Sequence, residues 1–174
     1  MADVPTSIRL AQVIGLTMSS AIAGTVVTIS AMLVPRLLEF PSPLLLKQWK
    51  HTFDVGKATV PPLAGICALC FGYLAYEAKR SPSALPRLWQ MYATSAVLCI
   101  GIAPYTLTAM ASTNNKLEKK AEETSMLKAE DKIVEVGLGG ESAHQLVDKW
   151  ASLNMGRGIM LATAAVLSTC ATLL

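Results

Sequence analysis

The chain has 174 residues, of which 52% are hydrophobic and 16% are charged. Its mean hydropathy of +0.45 is too high, and its charge too sparse, for a soluble domain of this length. The net charge of +3 is not gathered into a basic patch, which argues against a protein that binds nucleic acid. Composition therefore predicts one integral membrane domain that uses the whole chain.

Four mostly apolar stretches predict the fold. They cover approximately residues 10–34, 58–78, 87–113 and 153–174. Each is about as long as the roughly 20 residues that a helix needs to cross a bilayer. The sequence thus predicts an all-α, multi-pass protein, a four-helix transmembrane bundle within the lipid bilayer, with the endoplasmic reticulum as the default compartment. An interfacial loop at 35–57 and a charged loop at 114–150 would share one end of that bundle.

Prolines mark two of the predicted spans. Pro61 and Pro62 are expected in the first turn of the second span, where their missing amide hydrogens cost least. Gly101 and Pro104 predict a kink in the third span. A neighbouring helix or Thr108 would satisfy the carbonyl that Pro104 leaves without a donor.

Two further patterns concern helix ends and helix packing. Ser142 followed three residues later by Gln145 is typical of a capping box, and it predicts the start of the last helix. Ser20, Gly24 and Thr28 form a stripe of small residues at four-residue spacing. Such stripes let helices approach closely, either within the bundle or in a homo-oligomer.

The start of the last span carries an unusual polar and aromatic face. Trp150, Asn154 and Arg157 lie at i, i+4 and i+7, so a helix places them on one side. One interpretation is a membrane-interface belt, with Trp150 at headgroup level and Arg157 extended toward water. The other is a substrate shelf, on which an indole, an amide and a permanent cation would bind a flat, phenolic, anionic molecule.

The first loop offers a candidate acid/base pair. His51 and Asp54 lie at i and i+3, so in a helix the carboxylate could orient the imidazole and raise its basicity. Trp49 and Phe53 would share another face of the same helix. The structural alternative is a solvated histidine at the membrane interface.

Other candidate residues fall at the same end of the bundle. His144 and Asp148, at i and i+4, form a second possible acid/base pair. Asn114 ends the third span, where it is either a site residue or a simple helix terminus. With four spans, the two longer loops meet at one end, so these side chains can converge there.

Four runs of sequence carry a family resemblance. They are WKHTFDVG at 49–56, PPLA at 61–64, STNNKL at 112–117 and LVDKWASLNMGR at 146–157. Together they resemble the anthrone oxygenase family of small four-span membrane proteins. In fungi such proteins are similar to enzymes of aromatic polyketide clusters that oxidise an anthrone to an anthraquinone with molecular oxygen.

The resemblance implies a chemistry and a set of roles. An anthrone carbanion can itself donate an electron to oxygen, so we expect no metal and no cofactor, with oxygen as co-substrate and an aromatic polyketide as the small-molecule partner. The protein would supply a base and stabilise the oxyanion. The expected catalytic residues are His51 as base, Asp54 as its orienting group, and Asn154 and Arg157 at the oxyanion. The expected substrate-binding residues are Trp49, Phe53, Asn114 and Trp150.

Three alternative classes can be weighed from the sequence. Cys67 and Cys70 would suit a membrane thiol oxidoreductase, but both lie within a span, where cysteine usually packs as a small apolar residue. Haem or di-iron chemistry needs more metal ligands than the two histidines, at unrelated positions in the sequence, would supply. A non-enzymatic four-span scaffold stays open.

Overall fold

A computed structural model describes residues 5–81, 85–124 and 141–174. In these residues all regular structure is helical, which confirms the predicted all-α class. The elements are α1 (Thr6–Thr28), a π-helical turn (Ile29–Leu33), α2 (Val34–Leu37), α3 (Ser42–Arg80), α4 (Pro86–Tyr105), a second π-helical turn (Thr106–Met110), α5 (Ala111–Glu123) and α6 (Ala143–Leu173).

In the described part of the chain, four continuous helical segments are long and apolar enough to cross a membrane. They are Thr6–Leu37, Ser42–Arg80, Arg87–Glu123 and Ala143–Leu173. α1 packs against α3 and α6, and α4 packs against the same two helices, so the four helices close into a bundle. The predicted four-helix membrane bundle is confirmed.

Helix α3 starts well before the predicted span. It begins at Ser42, so most of the segment 35–57 is helical, and Pro61 and Pro62 lie inside the helix and not in its first turn. The added turns are amphipathic: Leu45, Trp49 and Phe53 repeat every four residues and are buried. Burial of this stripe explains why the helix begins where hydropathy alone predicts a loop.

The start of α6 is the predicted capping box. The Ser142 hydroxyl accepts from the Gln145 amide at 3.2 Å, and the Gln145 side chain accepts from the Ser142 amide at 3.0 Å. Just before it, Glu141 pairs with Lys116 of α5 at 2.6 Å and with Lys149 at 3.5 Å. The hydrogen bond from Lys116 lowers the pKa of the Glu141 carboxyl. The part of the predicted charged loop at 125–140 lies outside the described residues.

The irregularity predicted at Pro104 takes the form of a π-helical turn. Pro104 has no amide hydrogen for the carbonyl of Ile100, and the helix continues as the π-helical turn Thr106–Met110. The Thr108 hydroxyl donates to the carbonyl of Pro104 itself at 2.7 Å, and not to that of Ile100 as predicted. A second π-helical turn, at Ile29–Leu33, was not predicted from the sequence. Such turns inside α-helices are frequent at functional sites.

Close helix packing uses glycines other than those predicted. Ser20, Gly24 and Thr28 are all exposed, so this stripe lies on the outside of the bundle. A side chain at Gly158 of α6 would come within 2.8 Å of Val27 of α1. Gly158 therefore sets the approach of α1 to α6, and oligomerisation through the small-residue stripe stays a prediction.

Candidate active site

A cavity of about 540 Å³ opens between α3 and the α4–α5 segment, with α1 and α6 behind it. This volume lies within the usual range for small-molecule sites. It is lined by Val26, Ile29, Thr52, Phe53, Gly56, Lys57, Val60, Pro61, Ala64, Gly65, Cys99, Ile100, Ile102, Ala103, Thr106, Leu107, Ala111, Asn114, Asn115, Glu118, Trp150, Asn154 and Arg157. The lining draws on both hydrophobic clusters of the bundle, one around Phe71 and Leu161 and one around Trp49 and Leu117. Both π-helical turns contribute to it.

Arg157 and Asn154 enter the cavity as a connected pair. The Arg157 guanidinium donates through Nε and Nη2 to Asn154 Oδ1, the Nε contact being 3.2 Å. Asn154 is buried and in turn donates through Nδ2 to Ser30 Oγ at 2.7 Å and to the Val26 carbonyl at 3.3 Å. Ser30 lies in the first π-helical turn. Through Asn154, these hydrogen bonds fix the Arg157 guanidinium relative to α1 and the first π-helical turn. A residue that only anchors a helix at the membrane interface does not need to be held in one position.

Tyr105 supports the same region from α4. Its hydroxyl donates to the Leu153 carbonyl at 3.0 Å. A side chain at Gly156 would come within 2.5 Å of that hydroxyl, so only glycine leaves room for the contact. Tyr105 and Gly156 thus hold the α6 turn that carries Asn154 and Arg157.

The aromatic residues divide into a wall and its support. Phe53 and Trp150 line the cavity, whereas Trp49 does not. Trp49 is fully buried behind them, stacked on Phe53 at 5.0 Å between ring centroids and edge-on to Trp150 at 5.9 Å. The structure therefore places Trp49 where it orients the two lining rings.

Two buried polar atoms of the lining have no partner in the described part of the chain. They are Oδ1 of Asn114 and Nε1 of Trp150, whose residues are 6% and 2% exposed. A buried polar atom without a hydrogen bond costs about 1–3 kcal/mol, so such atoms call for an explanation. Both atoms are closed to water, as is Nε1 of Trp49 behind the cavity, so a ligand would bond to them only after the side chains turn toward the cavity.

The two predicted acid/base pairs are not brought together. His51 is exposed and does not line the cavity, and the Asp54 carboxylate bonds to Lys50 Nζ at 2.7 Å. Within the described residues no hydrogen bond joins His51 to Asp54. The His144 ring contacts the Phe40 carbonyl at 3.1 Å, and Asp148 is exposed. Burial of Trp49 and Phe53 sets the rotation of α3, so that His51 and Asp54 face outward while Phe53 faces the cavity.

Asn114, predicted to bind substrate, lines the cavity together with three residues of α5 that were not predicted. Ala111, Asn114, Asn115 and Glu118 lie at i, i+3, i+4 and i+7, and all four line the cavity. This helical spacing was visible in the sequence, but Glu118 begins a charged run that is usually a solvated surface. Lys57 of α3 also lines the cavity, and its ammonium lies 5.6 Å from the centre of the Phe53 ring.

The positions of the possible metal ligands and of the cysteines bear on the metal-dependent and thiol alternatives. In the part of the chain that the structure describes, no three His, Cys, Asp or Glu side chains gather as they would around a metal ion. Cys67 is fully buried and Cys70 half-buried, and neither lines the cavity. The absence of a cofactor stays a prediction.

Known proteins resemble this chain over most of its length. The family model for anthrone oxygenase matches residues 49–167. Anthrone oxygenase AgnL2 of Paecilomyces divaricatus is 28% identical over 165 residues, which cover 91% of this chain and 93% of that protein. Anthrone oxygenase nsrD of Aspergillus novofumigatus is 30% identical, covering 80% and 79%. Monooxygenase hypC of Dothistroma septosporum is 28% identical, covering 91% and 82%.

No solved structure matches the chain. The family match covers the α3, α5 and α6 residues that line the cavity, among them Phe53, Asn114 and Arg157. The shared region is thus the region that builds the site. The chain belongs to the anthrone oxygenase family.

Proposed function

We propose that this protein oxidises an anthrone-type polycyclic polyketide to the anthraquinone with molecular oxygen, inside the cavity between α3 and the α4–α5 segment. The observation that carries the proposal is the guanidinium of Arg157, fixed by Asn154 beside an aromatic wall and two buried polar atoms without partners. Family membership and the names of the relatives support the same reaction.

The reaction needs little from the protein besides a base and charge stabilisation. Loss of a methylene proton turns the anthrone into a delocalised anion, whose charge lies mainly on the former ketone oxygen of the central ring. The anion gives one electron to oxygen, and the resulting radical and superoxide combine into a peroxide. Loss of water from the hydroperoxide leaves the quinone. In sum one anthrone and one oxygen molecule give one anthraquinone and one water, with no external reductant, so we propose that no metal or organic cofactor takes part.

The lining residues match the groups of such a substrate. Arg157 supplies a permanent charge, and its guanidinium N–H groups that are not bonded to Asn154 can donate to the anionic oxygen of the substrate. Once their side chains turn toward the cavity, Oδ1 of Asn114 can accept from a phenolic hydroxyl, and Nε1 of Trp150 can donate to an oxygen of the substrate. Phe53 and Trp150 supply aromatic faces for a flat ring system.

The mouth of the cavity suits a substrate that arrives from the bilayer. Five residues both line the cavity and are exposed on the outside of the bundle. They are Pro61 and Gly65 on one side, and Ile100, Ala103 and Leu107 on the other. These rim residues are apolar, and they lie on helices long enough to cross the membrane. A hydrophobic anthrone dissolved in lipid can therefore enter sideways without crossing water.

Oxygen uptake by the purified protein tests the proposal. With 1,8-dihydroxyanthrone as substrate, we expect oxygen consumption and anthraquinone formation in a one-to-one ratio, at a rate well above that of the same vesicles without protein. A rate no higher than that background, for this and other hydroxylated anthrones, would contradict the enzymatic function and favour a scaffold.

A larger side chain at Gly65 should weaken substrate binding. A Cβ there has no atom within 4 Å, so Gly65→Leu is accommodated by the fold and fills the rim of the cavity. We expect KM to rise on the order of 10-fold, the effect of a few misplaced methylene groups. Gly72→Leu is the matched control, because Gly72 lies on the same helix with equal free space but does not line the cavity. Equal KM values for the two variants would argue against entry at this rim.

Replacing both Cys67 and Cys70 by alanine should leave turnover largely unchanged. Both residues pack within the bundle away from the cavity lining, so alanine removes little more than a sulfur atom. Steady-state oxygen uptake by the double variant checks this. A folded, membrane-inserted double variant without turnover would favour thiol oxidoreductase chemistry instead.

A further inference from the structure

We infer that Glu118 is the general base that removes the methylene proton of the substrate. The inference rests on the proposed function and adds a residue to it. Among the described residues that line the cavity, Glu118 is the only carboxylate. It lies one helical turn beyond Asn114, on the same face of α5.

Burial and pairing leave Glu118 available for proton transfer. Its side chain is 28% exposed, and it contacts Lys50 Nζ through Oε1 at 3.5 Å. Lys50 binds Asp54 more closely, at 2.7 Å, so its contact with Glu118 is the weaker of the two. Within the described residues no other hydrogen bond reaches Glu118. The carboxylate is therefore held near the cavity with one oxygen unpaired.

The position of His51 favours Glu118 as the base. A general base must come within about 3 Å of the proton that it removes, directly or through one water. His51 points to the outside of α3 and does not line the cavity. Asp54, predicted to orient His51, orients Lys50 instead, and Lys50 contacts Glu118. The structure thus connects Asp54, through Lys50, to Glu118 and not to His51.

The proton balance closes with Glu118 alone. Its carboxylate takes the first methylene proton, and the carbanion passes one electron to oxygen. The radical and superoxide form the C–O bond, and the peroxide anion takes the proton back from Glu118. The carboxylate then removes the second C–H proton while the O–O bond breaks and the C=O bond forms. The hydroxide that leaves accepts that proton and becomes water, so Glu118 ends as it began.

Hydrogen–deuterium exchange without oxygen isolates this step. In anaerobic D₂O, wild-type protein with 1,8-dihydroxyanthrone should exchange the methylene protons faster than vesicles without protein. Glu118→Gln should lower that catalysed rate on the order of 10²-fold, the usual contribution of a general base. Glu122→Gln, which removes an exposed carboxylate one turn further along α5, should exchange like the wild type.

The outcomes separate this inference from the proposed function. Exchange and oxidation by Glu118→Gln at the wild-type rate would overturn Glu118 as the base while leaving the oxygenase function intact, and loss of exchange in His51→Gln alone would return the role to His51. Wild-type protein that neither exchanges nor oxidises the anthrone would overturn both.

A second variant covers the case in which Glu118→Gln does not insert. Glu118→Asp keeps the charge but withdraws the carboxylate by one methylene. Exchange slowed on the order of 10-fold, with unchanged affinity for the quinone product, supports proton transfer by Glu118. A wild-type exchange rate in this variant contradicts it.

Discussion

Arg157→Lys will lower kcat on the order of 10²-fold, the typical cost of losing one donor at an oxyanion. Lysine keeps the charge but not the planar fork, of which Nε and Nη2 bond to Asn154. A flexible ammonium cannot hold Asn154 and an anionic ring oxygen in one fixed geometry. Steady-state kinetics with 1,8-dihydroxyanthrone, together with thermal unfolding to confirm the fold, measure the effect.

The control for this variant is Arg80→Lys. Arg80 ends α3 at the opposite end of the bundle, where its guanidinium bonds to the Tyr76 hydroxyl. The same chemical change there should leave kcat unaltered. If Arg157→Lys behaves like Arg80→Lys, Arg157 serves only as an interfacial anchor and the oxyanion assignment is wrong.

Asn154→Ala should lower both turnover and stability. The change removes the acceptor that orients Arg157 and the donor to Ser30 and Val26. We expect kcat to fall on the order of 10-fold or more, since one hydrogen bond to a charged group contributes about 1.5–3 kcal/mol and about 1.4 kcal/mol corresponds to a factor of ten. A lower unfolding temperature should accompany it, because buried polar groups lose their partners.

Ser168→Ala separates the catalytic effect from the general cost of altering a buried polar residue. Ser168 is fully buried on the same helix, but within the described residues its hydroxyl bonds only to the backbone of its own helix, and it does not line the cavity. We expect its kcat to match the wild type. An equal fall in kcat for both variants would show that Asn154 acts through stability alone.

Hydropathy and helical spacing were sufficient for the spans and for one face of the site. The four apolar stretches predicted the bundle, and the i, i+4, i+7 spacing predicted that Trp150, Asn154 and Arg157 share one face of a helix. Both signals are local: they depend on residues of a single helix. Tertiary contacts add the partners of Asn154, namely Ser30 and the Val26 carbonyl, which lie 124 and 128 residues away in the chain.

The proposed base and the extent of α3 could not be predicted in the same way. His51 has the chemistry of a base, but only the rotation of a helix packed on its neighbours decides whether it faces a cavity or the outside. Burial of Trp49 and Phe53 sets that rotation and turns His51 outward. Glu118 shows the opposite case: its charged neighbours predict a solvated surface, and packing of α5 against α3 brings it to the cavity.

Turnover under ¹⁸O₂ by purified, chelator-treated protein, with parallel metal analysis, tests cofactor-free oxygenation most directly. We predict that the chelator leaves kcat unchanged, that iron and copper are well below one ion per chain, and that one labelled oxygen atom enters each anthraquinone. Activity that falls with the chelator and returns in proportion to added metal, or a quinone that takes its new oxygen from water, would contradict cofactor-free oxygenation in this cavity.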